Sequence, residues 1–478
     1  MTQSPMRRRI TRISAQARSA VYATLSALFS HPAPYRTANL PSSQREPRRS
    51  HTAATVFWAV TAALAVFVIV AAFVGFGLVT LIVLVIAAIV LAGSMLAVRR
   101  ANRAWRTASD AHFATGTNEL RAHKPQFLVH FDGSREAVYQ LEMWLPYLAQ
   151  IALPYAVIVR RAESFDCVAS AVQGAPVLLA EDALDAEQLL VSSATSVFYV
   201  NLADRNNQIT RFEHLQHIQL GHGDSDKGSS ATRTFRLFDR VYLAGQAGVD
   251  RFAEHGVRID QNAIAIVGRP QVSGIEQSDQ PVSSKQQPTL LYAPTWRGDF
   301  EATSHTSLPY AADLISLALE HGCRVVFRPH PYTWRYPSTA DAAAEIDRRL
   351  SEHAATTGTD HVFGRRATHE LSIKECFNLS DAMISDVSAV LSDYLYSGKP
   401  LGVFIPTTSA GVQNEDGCYL FTEDASSWAA QLVRLLKSDP LRGARIALRD
   451  HRLGNAAVAP PERLFVETAR GDVLSTNA

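Results

Sequence analysis

Histidine, arginine and serine side chains follow predicted strands at several places in this sequence, where they could bind or move a charged group. The first such place is a histidine between two glycines, Gly221-His222-Gly223. A neutral histidine is the usual general base near pH 7, and glycines let a second molecule come close to it. Lys227 adds a charge that could reach a phosphate. We predict that His222 removes a proton, and a purely structural histidine is the open alternative.

Two further motifs place cationic groups after apolar runs. Their members are Arg328 and His330 after 325–327, and Thr295, Trp296 and Arg297 after 290–292. Prolines on both sides of His330 restrict the backbone there. Arginine binds phosphate through two parallel hydrogen bonds, and a tryptophan ring covers a base or packs in a core. These residues predict an anion pocket, and the alternative is a pair of turns that face water.

The fourth motif is a predicted strand, turn and helix that begins at residue 382. Ser385, Asp386 and Ser388 are helix-capping residue types, because their side-chain oxygens accept hydrogen bonds from free backbone N–H groups. A helix that starts at the carboxyl end of a parallel strand also points its positive dipole end at that edge of the sheet. The motif predicts a phosphate-sized site, and the alternative is an ordinary cap that binds nothing.

Strands that alternate with helical patterns must position these motifs. The predicted strands are 127–131, 155–159, 176–179, 197–200, 217–220, 240–243 and 263–267 in the first half, and 289–292, 324–328, 361–364, 382–384 and 401–405 in the second. Such alternation predicts parallel, doubly wound sheets. A polar stretch without periodicity, 273–288, separates the halves. We predict two Rossmann-like domains, 124–272 and 285–460, with ligands at the carboxyl ends of the strands.

The N-terminal fifth of the chain has a different composition. Residues 1–52 are rich in arginine and predict a basic, flexible tail. Residues 53–98 are almost entirely apolar and about twice the length of one membrane span. We predict a transmembrane hairpin of two helices, 53–74 and 78–98, and a buried helical hairpin is the alternative. Arginines flank both ends, so the positive-inside rule places both flanks on the cytoplasmic side.

Overall composition argues against some classes of ligand. A formal net charge of +1 over 478 residues gives no general attraction to nucleic acid. The four cysteines lack metal-ligand spacing and predict reduced thiols. A metal cluster of His214, His217 and His222 is disfavoured, because His217 and His222 lie on either side of a predicted strand. We therefore predict no metal and no cofactor.

Together the motifs resemble those of the CDP-glycerol glycerophosphotransferase family, whose members make teichoic-acid-type polymers. In the first half, the family's W-H-G-T-P-x-K signature resembles 221–227 and its G-x-P-R motif resembles 268–271. In the second half, its Y-A-P-T-W-R-D motif resembles 292–299 and its R-x-H-P motif matches 328–331. Its T-D-Y-S-S-x-x-x-D motif resembles 385–393. The resemblance covers residues 125–440. It implies a GT-B architecture, in which two Rossmann-like domains face a cleft.

The resemblance implies transfer of glycerol phosphate from CDP-glycerol to a hydroxyl of an acceptor chain, with release of CMP. It gives the role of base to His222, phosphate contacts to Arg328 and His330, and the nucleotide end to Ser388 and Asp393. It also adds Gly221, Gly223, Asp224, Ser225, Arg269 and Ala389 to the residues that bind substrate. Gly221, Gln271 and Ala389 depart from the tryptophan, arginine and serine of the family motifs, so the donor alditol stays open.

The resulting prediction is an enzyme of the plasma membrane with its catalytic domains on the cytoplasmic face. Its predicted partners are CDP-glycerol or a similar CDP-alditol, a membrane-linked polymer or lipid-linked acceptor, and the lipid bilayer. Nucleic acid is not among them. Two alternatives stay open. One is a GT-B enzyme that transfers sugar from a nucleotide sugar, and the other is an inactive membrane protein that binds phosphorylated polymers.

Overall fold

The structure is a computed structural model that describes residues 35–45, 55, 57–62, 64, 77–221, 231–297, 306–405, 416–454 and 459–475. The chain divides into two compact units. Unit 1 comprises Met1–Glu142, Leu153–Val197 and Ala203–Phe212, and unit 2 comprises Met143–Ala152, Phe198–Leu202 and Glu213–Ala478. Helices alternate with mostly parallel strands along the chain, so the predicted α/β class is confirmed.

Unit 1 holds a sheet of buried, mostly apolar strands. Its strands are β1 (Thr37–Ala38), β2 (Phe127–Phe131), β3 (Tyr155–Val159) and β4 (Val177–Leu179), in the order β1-β4-β3-β2. The strands β2, β3 and β4 are parallel, and β1 is antiparallel to β4. The helices of this unit are α1 (Gly77–His123), α2 (Tyr139–Glu142), α4 (Ala162–Ala171), α5 (Ala183–Gln188) and α6 (Asp204–Asn207). Helix α3 (Leu145–Gln150) lies between α2 and α4 in the sequence but belongs to unit 2. Strand β5 (Ser196–Tyr199) spans the boundary between the units.

Part of the predicted flexible tail is ordered against unit 1. Residues 37–38 add β1 to the edge of the sheet, and the Tyr35 hydroxyl donates a hydrogen bond to Asp185 (2.8 Å). Arg36 pairs with Asp166 through two hydrogen bonds of 2.6 and 3.1 Å. The prediction of a flexible tail is therefore wrong for residues 35–45, while residues 1–34 and 46–52 lie outside the described residues.

The second predicted membrane helix is part of a much longer helix. Helix α1 begins at Gly77, close to the predicted start, but it does not end near residue 98 and continues to His123. Its last turns are buried in unit 1 through Phe113 and Leu120. Among the residues that the structure describes, it is the one helix long and apolar enough to cross a membrane. Most of the predicted first span, 53–74, lies outside the described residues.

Unit 2 contains two sets of parallel strands. The first set is β6 (Gln216–Gln219), β7 (Arg240–Leu243) and β8 (Ile264–Ile266), in that order. The second is a five-stranded sheet in the order β10-β9-β11-β12-β13, built from β9 (Thr289–Ala293), β10 (Arg324–Phe327), β11 (Ala382–Asp386), β12 (Leu401–Phe404) and β13 (Tyr419–Phe421). The predicted strand at 361–364 is reduced to a single bridge from Val362 to Val326.

Helices connect these strands of unit 2. They are α7 (Gln246–Glu254), α8 (Ala311–Glu320), α9 (Pro337–Thr357), α10 (Ile373–Leu379), α11 (Ala389–Leu395), α12 (Trp428–Val433), α13 (Arg442–Leu453) and α14 (Pro461–Ser475). Successive strand residues alternate between two apolar clusters. Val325 and Phe327 belong to one cluster and Val326 to the other. Both faces of the five-stranded sheet are therefore buried, which is usual for a parallel sheet.

A pair of histidines beside β10, of which His361 is buried and His353 partly exposed, makes the stability of this sheet depend on pH. The Nδ1 atom of His361 accepts a hydrogen bond from the Val325 backbone N–H (2.9 Å), so its proton lies on Nε2, which faces Nδ1 of His353 at 2.9 Å. Burial, followed by the charges of His353 and Arg324, lowers the pKa of His361 to about 4. Protonation of Nδ1 would leave two donors facing each other at the start of β10.

We expect acid to destabilise unit 2 through His361. Because its pKa is lower in the folded chain than the ordinary value near 6.5, the unfolded chain binds the proton first as pH falls. The contribution is present above pH 6.5 and is lost between pH 6.5 and about 4, by about 3 kcal/mol in total. Hydrogen exchange of the Val325 amide should accelerate over this range. His361→Asn keeps an acceptor near Nδ1 and should flatten the dependence, and an unchanged slope would contradict the prediction.

Candidate functional site

The five-stranded sheet brings three of the predicted motifs to one edge. Strand β9 lies between β10 and β11 and is parallel to both, with Tyr292 beside Phe327 and Ala293 beside Ser385. The residues that follow these strands therefore lie at the same edge of the sheet. The chain passes from β9 to β10 on one side and reaches β11 on the other, so this edge includes a topological switch point. Ligands of open α/β sheets bind at such points.

The carboxylate of Asp386 connects the segments around this edge. It is fully buried and accepts hydrogen bonds from the backbone N–H groups of Thr295 (2.7 Å) and Ser307 (3.1 Å). Ser385 is also fully buried, and its hydroxyl donates to the carbonyl of Ala293 (2.7 Å). We predicted substrate contacts for Ser385 and Asp386. Their burial inside the sheet favours a positioning role instead, because neither side chain reaches the surface of the site.

Burial raises the pKa of Asp386 to about 7, although hydrogen bonds from Ser307 and Thr295 favour the charged form. Ser307 is itself held by a hydrogen bond of 2.7 Å between its hydroxyl and that of Tyr292. The loop after β9 is thereby attached at Thr295 and again at Ser307. This network could not be predicted from the sequence, because Ser307 belongs to no motif and the motif at 292–299 does not show what the Tyr292 hydroxyl contacts.

His330 is held in one ring orientation beside the end of β10. Its Nδ1 atom accepts a hydrogen bond from the Tyr332 backbone N–H (3.1 Å), and its own backbone N–H donates to the carbonyl of Pro294 (3.1 Å). The ring stacks on Trp296 with centroids 6.2 Å apart. Burial lowers the pKa of His330. The ring is therefore neutral at pH 7, and its proton lies on Nε2, which makes this atom a hydrogen-bond donor.

Arg328 uses part of its guanidinium within the protein. Its Nη1 atom donates to the backbone carbonyls of Ala367 and Leu371. These two carbonyls belong to the segment between Val362 and α10, so the arginine fixes that segment at the end of β10. The phosphate contact predicted for Arg328 stays a proposal, and the structure adds this second, positioning contact.

Trp296 and Arg297 form part of an aromatic cluster at the same edge. The indole of Trp296 is parallel to the ring of Tyr336, at 6.5 Å between centroids, and perpendicular to the ring of Tyr332, at 5.3 Å. The guanidinium of Arg297 lies over the ring of Tyr336, 4.6 Å from its centroid. All three residues from Thr295 to Arg297 are partly exposed. This exposure leaves them accessible to a ligand.

Helix α11 starts at this edge, next to β11. Ser388 precedes Ala389, the first helical residue, and has an extended backbone. The Ser388 side chain is partly exposed and makes no capping hydrogen bond to the helix. The predicted cap is therefore not formed by this hydroxyl. Its exposure is compatible with the predicted substrate contact.

Arg269 and Asp393, predicted separately as substrate-binding residues, are paired with each other. The Nε atom of Arg269 lies 2.5 Å from Oδ1 of Asp393, and their side chains are 8% and 23% exposed. Lys374 lies nearby and donates to the carbonyl of Ser273 (2.7 Å), and burial lowers its pKa. The pair fixes the segment after β8 against α11. One carboxylate oxygen of Asp393 is thus occupied by Arg269.

We expect loss of either partner of this pair to destabilise unit 2. Arg269→Met leaves a mostly buried carboxylate, and Asp393→Leu leaves a mostly buried guanidinium, so each change should cost about 3 kcal/mol. The double variant removes both charges and should be more stable than either single variant. Urea unfolding of the four proteins measures this coupling, and simple additivity of the two effects would contradict it.

The structure describes only the first residue of the predicted histidine motif. Gly221 has a left-handed backbone (φ 68°), and its carbonyl accepts a hydrogen bond of 2.7 Å from the indole N–H of Trp144. Trp144 lies directly before α3, which has a proline in its first turn. The remaining predicted residues, His222, Gly223, Asp224, Ser225 and Lys227, lie outside the described residues.

Sequence reasoning missed several residues that make contacts at this edge or with the histidine motif at 221–227. The run Tyr332-Thr333-Trp334-Arg335-Tyr336 directly follows the R-x-H-P motif, and its density of aromatic and cationic residues was a visible signal. Trp144 and Ser307 had no comparable signal, because each acts through a contact that is distant in sequence. Within the ranges that the structure describes, no group of three histidine, cysteine or acidic residues could hold a metal ion.

A parallel sheet with a switch point between β9, β10 and β11 places this protein in the Rossmann-like class of α/β folds. Within that class, residues 254–420, about a third of the chain, match the model of the family described as CDP-glycerol:poly(glycerophosphate) glycerophosphotransferase. The match confirms the family resemblance of the motifs over this region. The histidine motif at 221–227 lies outside the matched residues.

Comparisons with other proteins give weaker similarities. No curated protein matches this sequence. A structure of the wall teichoic acid polymerase TagF with CDPG is 16% identical, with a TM-score of 0.43 over 80% of this chain and 99% of that one. A glycosyltransferase from Rickettsia africae (11% identity, TM-score 0.43) aligns over 73% of this chain and 98% of its own. A structure of Anabaena HepE with UDP and glucose is 11% identical, with a TM-score of 0.39 over 73% of this chain and 99% of that one. Similarities at these identities and TM-scores give no evidence about activity.

Proposed function

We propose that the protein is a membrane-anchored glycerophosphotransferase. It moves glycerol phosphate, or a related alditol phosphate, from CDP-glycerol to a hydroxyl of a teichoic-acid-like acceptor and releases CMP. The observation that supports this most directly is the convergence of the β9, β10 and β11 ends at one switch point. All three lie inside the region that the glycerophosphotransferase family model matches.

The reaction is a displacement at phosphorus. The acceptor oxygen attacks the phosphorus that carries the glycerol, and a new P–O bond forms. The bond from that phosphorus to the bridging oxygen breaks, and CMP leaves with its electron pair. The hydroxyl proton passes to a base, a role that the motif assigns to His222. Catalysis of such a displacement consists largely of positioning and of stabilising charge on the phosphate oxygens.

The residues at the sheet edge have the properties that this displacement needs. His330 offers a neutral Nε2–H donor of fixed orientation, which can bind a phosphate oxygen without exchanging a proton with it. Arg328 and Arg297 supply positive charge, and Ser388 supplies a partly exposed hydroxyl. Asp386 acts through the backbone of Thr295 and does not touch the donor.

Two observations on unit 1 support the proposed membrane anchor. The apolar part of α1 is exposed, with Leu81, Ile89 and Leu96 each at least half accessible. The segments before and after residues 46–98 also contact each other within unit 1. The Ser42 backbone N–H donates a hydrogen bond to Glu119 (3.1 Å), and the Tyr35 ring packs on that of Phe113. A chain that leaves and returns on one side crosses the bilayer an even number of times. We propose a hairpin with both flanks on the cytoplasmic face, as their arginines predict.

A donor screen tests the proposed function. Purified protein is incubated with membrane extract and with CDP-glycerol, CDP-ribitol, or UDP- and GDP-sugars, and the released nucleotide is identified. We expect CMP from a CDP-alditol, and we expect His222→Ala to abolish its release. Release of UDP or GDP would instead identify a sugar transferase. No release from any donor, with binding of phosphorylated polymer retained, would identify an inactive polymer-binding protein.

A further inference from the structure

We propose that an aromatic and cationic surface next to His330 binds the acceptor chain as an alternating polyol and phosphate polymer. This surface, the aromatic platform, consists of Trp296, Arg297, Tyr332, Trp334, Arg335 and Tyr336. The inference rests on the proposed function and extends it by naming the surface that holds the acceptor.

The platform is built on a rigid turn. A 3-10 helix, Pro331–Arg335, begins directly after His330 and carries Tyr332 and Trp334. Between them Thr333 is fully buried, and its carbonyl accepts a hydrogen bond of 2.5 Å from the Thr339 hydroxyl. Tyr332 and Trp334 are nevertheless 43% and 48% exposed. Large aromatic side chains held in water by a fixed turn gain contact area when a ligand covers them.

The two cations of the platform both lie near one of its rings, that of Tyr336. The guanidinium of Arg297 lies 4.6 Å from the centroid of the Tyr336 ring, and that of Arg335 lies 5.9 Å from it. Aromatic faces pack against the C–H groups of a polyol, and a planar guanidinium binds phosphate through paired hydrogen bonds. A polymer that alternates polyol and phosphate presents both partners in turn. A neutral glycan would leave the arginines unused.

The strand order argues for the acceptor and against the nucleobase as the occupant. The platform residues between 332 and 336 follow β10, on one side of β9, and Trp296 and Arg297 follow β9 itself, whereas Ser388 and Asp393 follow β11 on the other side of β9. The family motif gives Ser388 and Asp393 to the nucleotide end of the donor. A donor whose nucleoside lies on the β11 side and whose phosphates reach His330 directs its glycerol end, where the acceptor attacks, toward the platform.

Acceptor kinetics of two variants of the full-length protein in detergent test this inference. Trp334→Ala removes one exposed ring, and Arg335→Gln removes one cation. We expect each to raise the KM for poly(glycerol phosphate) at least tenfold, while the KM for CDP-glycerol changes less than twofold. Trp334→Phe keeps an aromatic face and should restore most of the affinity. Arg434→Gln is the matched control, because the Arg434 guanidinium lies over Tyr419 at 5.8 Å in the same unit. It should change neither constant.

Other outcomes overturn the inference. An unchanged acceptor KM in both variants removes the platform from acceptor binding. A raised KM for CDP-glycerol would assign the surface to the nucleobase. A tryptophan emission shift on reconstitution into anionic phosphatidylglycerol vesicles that is lost in Trp334→Ala would assign it to lipid. If the parent protein transfers nothing from any CDP-alditol, the proposed function fails, and calorimetric titration with poly(glycerol phosphate) decides about the platform alone. Equal binding by parent and variants would then reject it.

Discussion

Replacement of His330 by asparagine should reduce turnover about 100-fold to 1,000-fold. The Nδ1 atom of this residue accepts the Tyr332 backbone N–H, so the ring presents Nε2–H to the site. A preorganised donor that binds developing charge on an oxygen typically contributes two to three orders of magnitude to the rate. Asparagine keeps an acceptor near the position of Nδ1 but has no donor at the position of Nε2. The KM for the donor nucleotide should rise less than turnover falls, because the contact strengthens as charge develops.

Glutamine at position 330 separates this role from a structural one. Its amide nitrogen falls near the position of Nε2 and donates a proton, so His330→Gln should recover a large part of the turnover that asparagine and alanine lose. His255→Gln, at an exposed histidine of the same unit, is the matched control and should have no effect. If glutamine is no better than alanine while all variants unfold like the parent, His330 does not act as a donor.

The pH dependence of turnover gives a second readout for His330. Burial lowers its pKa, so protonation needs a pH below the ordinary histidine value. Compared with an ordinary histidine, His330 should therefore lose its neutral form at lower pH, so the loss of rate caused by its protonation is shifted to lower pH. An acid limb centred at or above the ordinary histidine pKa must come from another group, such as the predicted base His222.

Strand positions in the sheet of unit 2 could be predicted because each strand is a short apolar run bounded by polar residues. The prediction for β10, 324–328, differs from the observed Arg324–Phe327 by one residue. Strand β11 was predicted to end at 384 but continues through Ser385 and Asp386. Polar residues normally end a buried strand. Here they extend it, because their side chains have backbone partners on β9 and on the segments that follow it.

The roles of the motif residues were harder to predict than their positions. Serine and aspartate are equally suited to cap a helix or to bind backbone groups inside a sheet, and a sequence does not show in which direction they point. The pairing of Arg269 with Asp393 joins residues 124 positions apart, and no local pattern encodes it. Helix α1 was predicted too short for a related reason. Its polar half is stabilised by burial against unit 1, which hydropathy does not reveal.

Replacement of Asp386 by asparagine should lower turnover about 10-fold to 100-fold without loss of stability at pH 8. The carboxylate attaches Thr295 and Ser307 to the end of β11, and an asparagine can accept only one of these two N–H groups. The segment with Thr295, Trp296 and Arg297 should then shift, and a misplacement of about 1 Å in a site can cost 100-fold in rate. Hydrogen exchange of the Thr295 or Ser307 amide should accelerate in the variant.

Ionisation of Asp386 should lower the stability of the folded chain as pH rises. Burial raises the pKa of Asp386 to about 7, so the folded chain keeps its proton where the unfolded chain has released it. The stabilising effect of this proton is complete below pH 3.8, the ordinary value for aspartate, and is lost as pH rises to about 7, by about 4 kcal/mol in total. The His361 contribution increases over part of the same range, so single variants are needed to separate the two. Asp386→Asn should remove the loss toward pH 7, and the exposed control Asp313→Asn should keep it.

Asp386→Asn is expected to lower activity and to preserve stability. This combination distinguishes a carboxylate that positions the site from one that only stabilises the fold. A buried charge that only held the fold together would lower stability and activity in parallel when it is removed. For Asp386 the charged form is costly to bury, and its benefit is the fixed backbone of Thr295 at the site. Asp386→Asn should therefore be at least as stable as the parent at pH 8 and yet much less active. Full activity in the variant, or a loss of activity explained by unfolding, would show that the attachment of Thr295 does not serve the reaction.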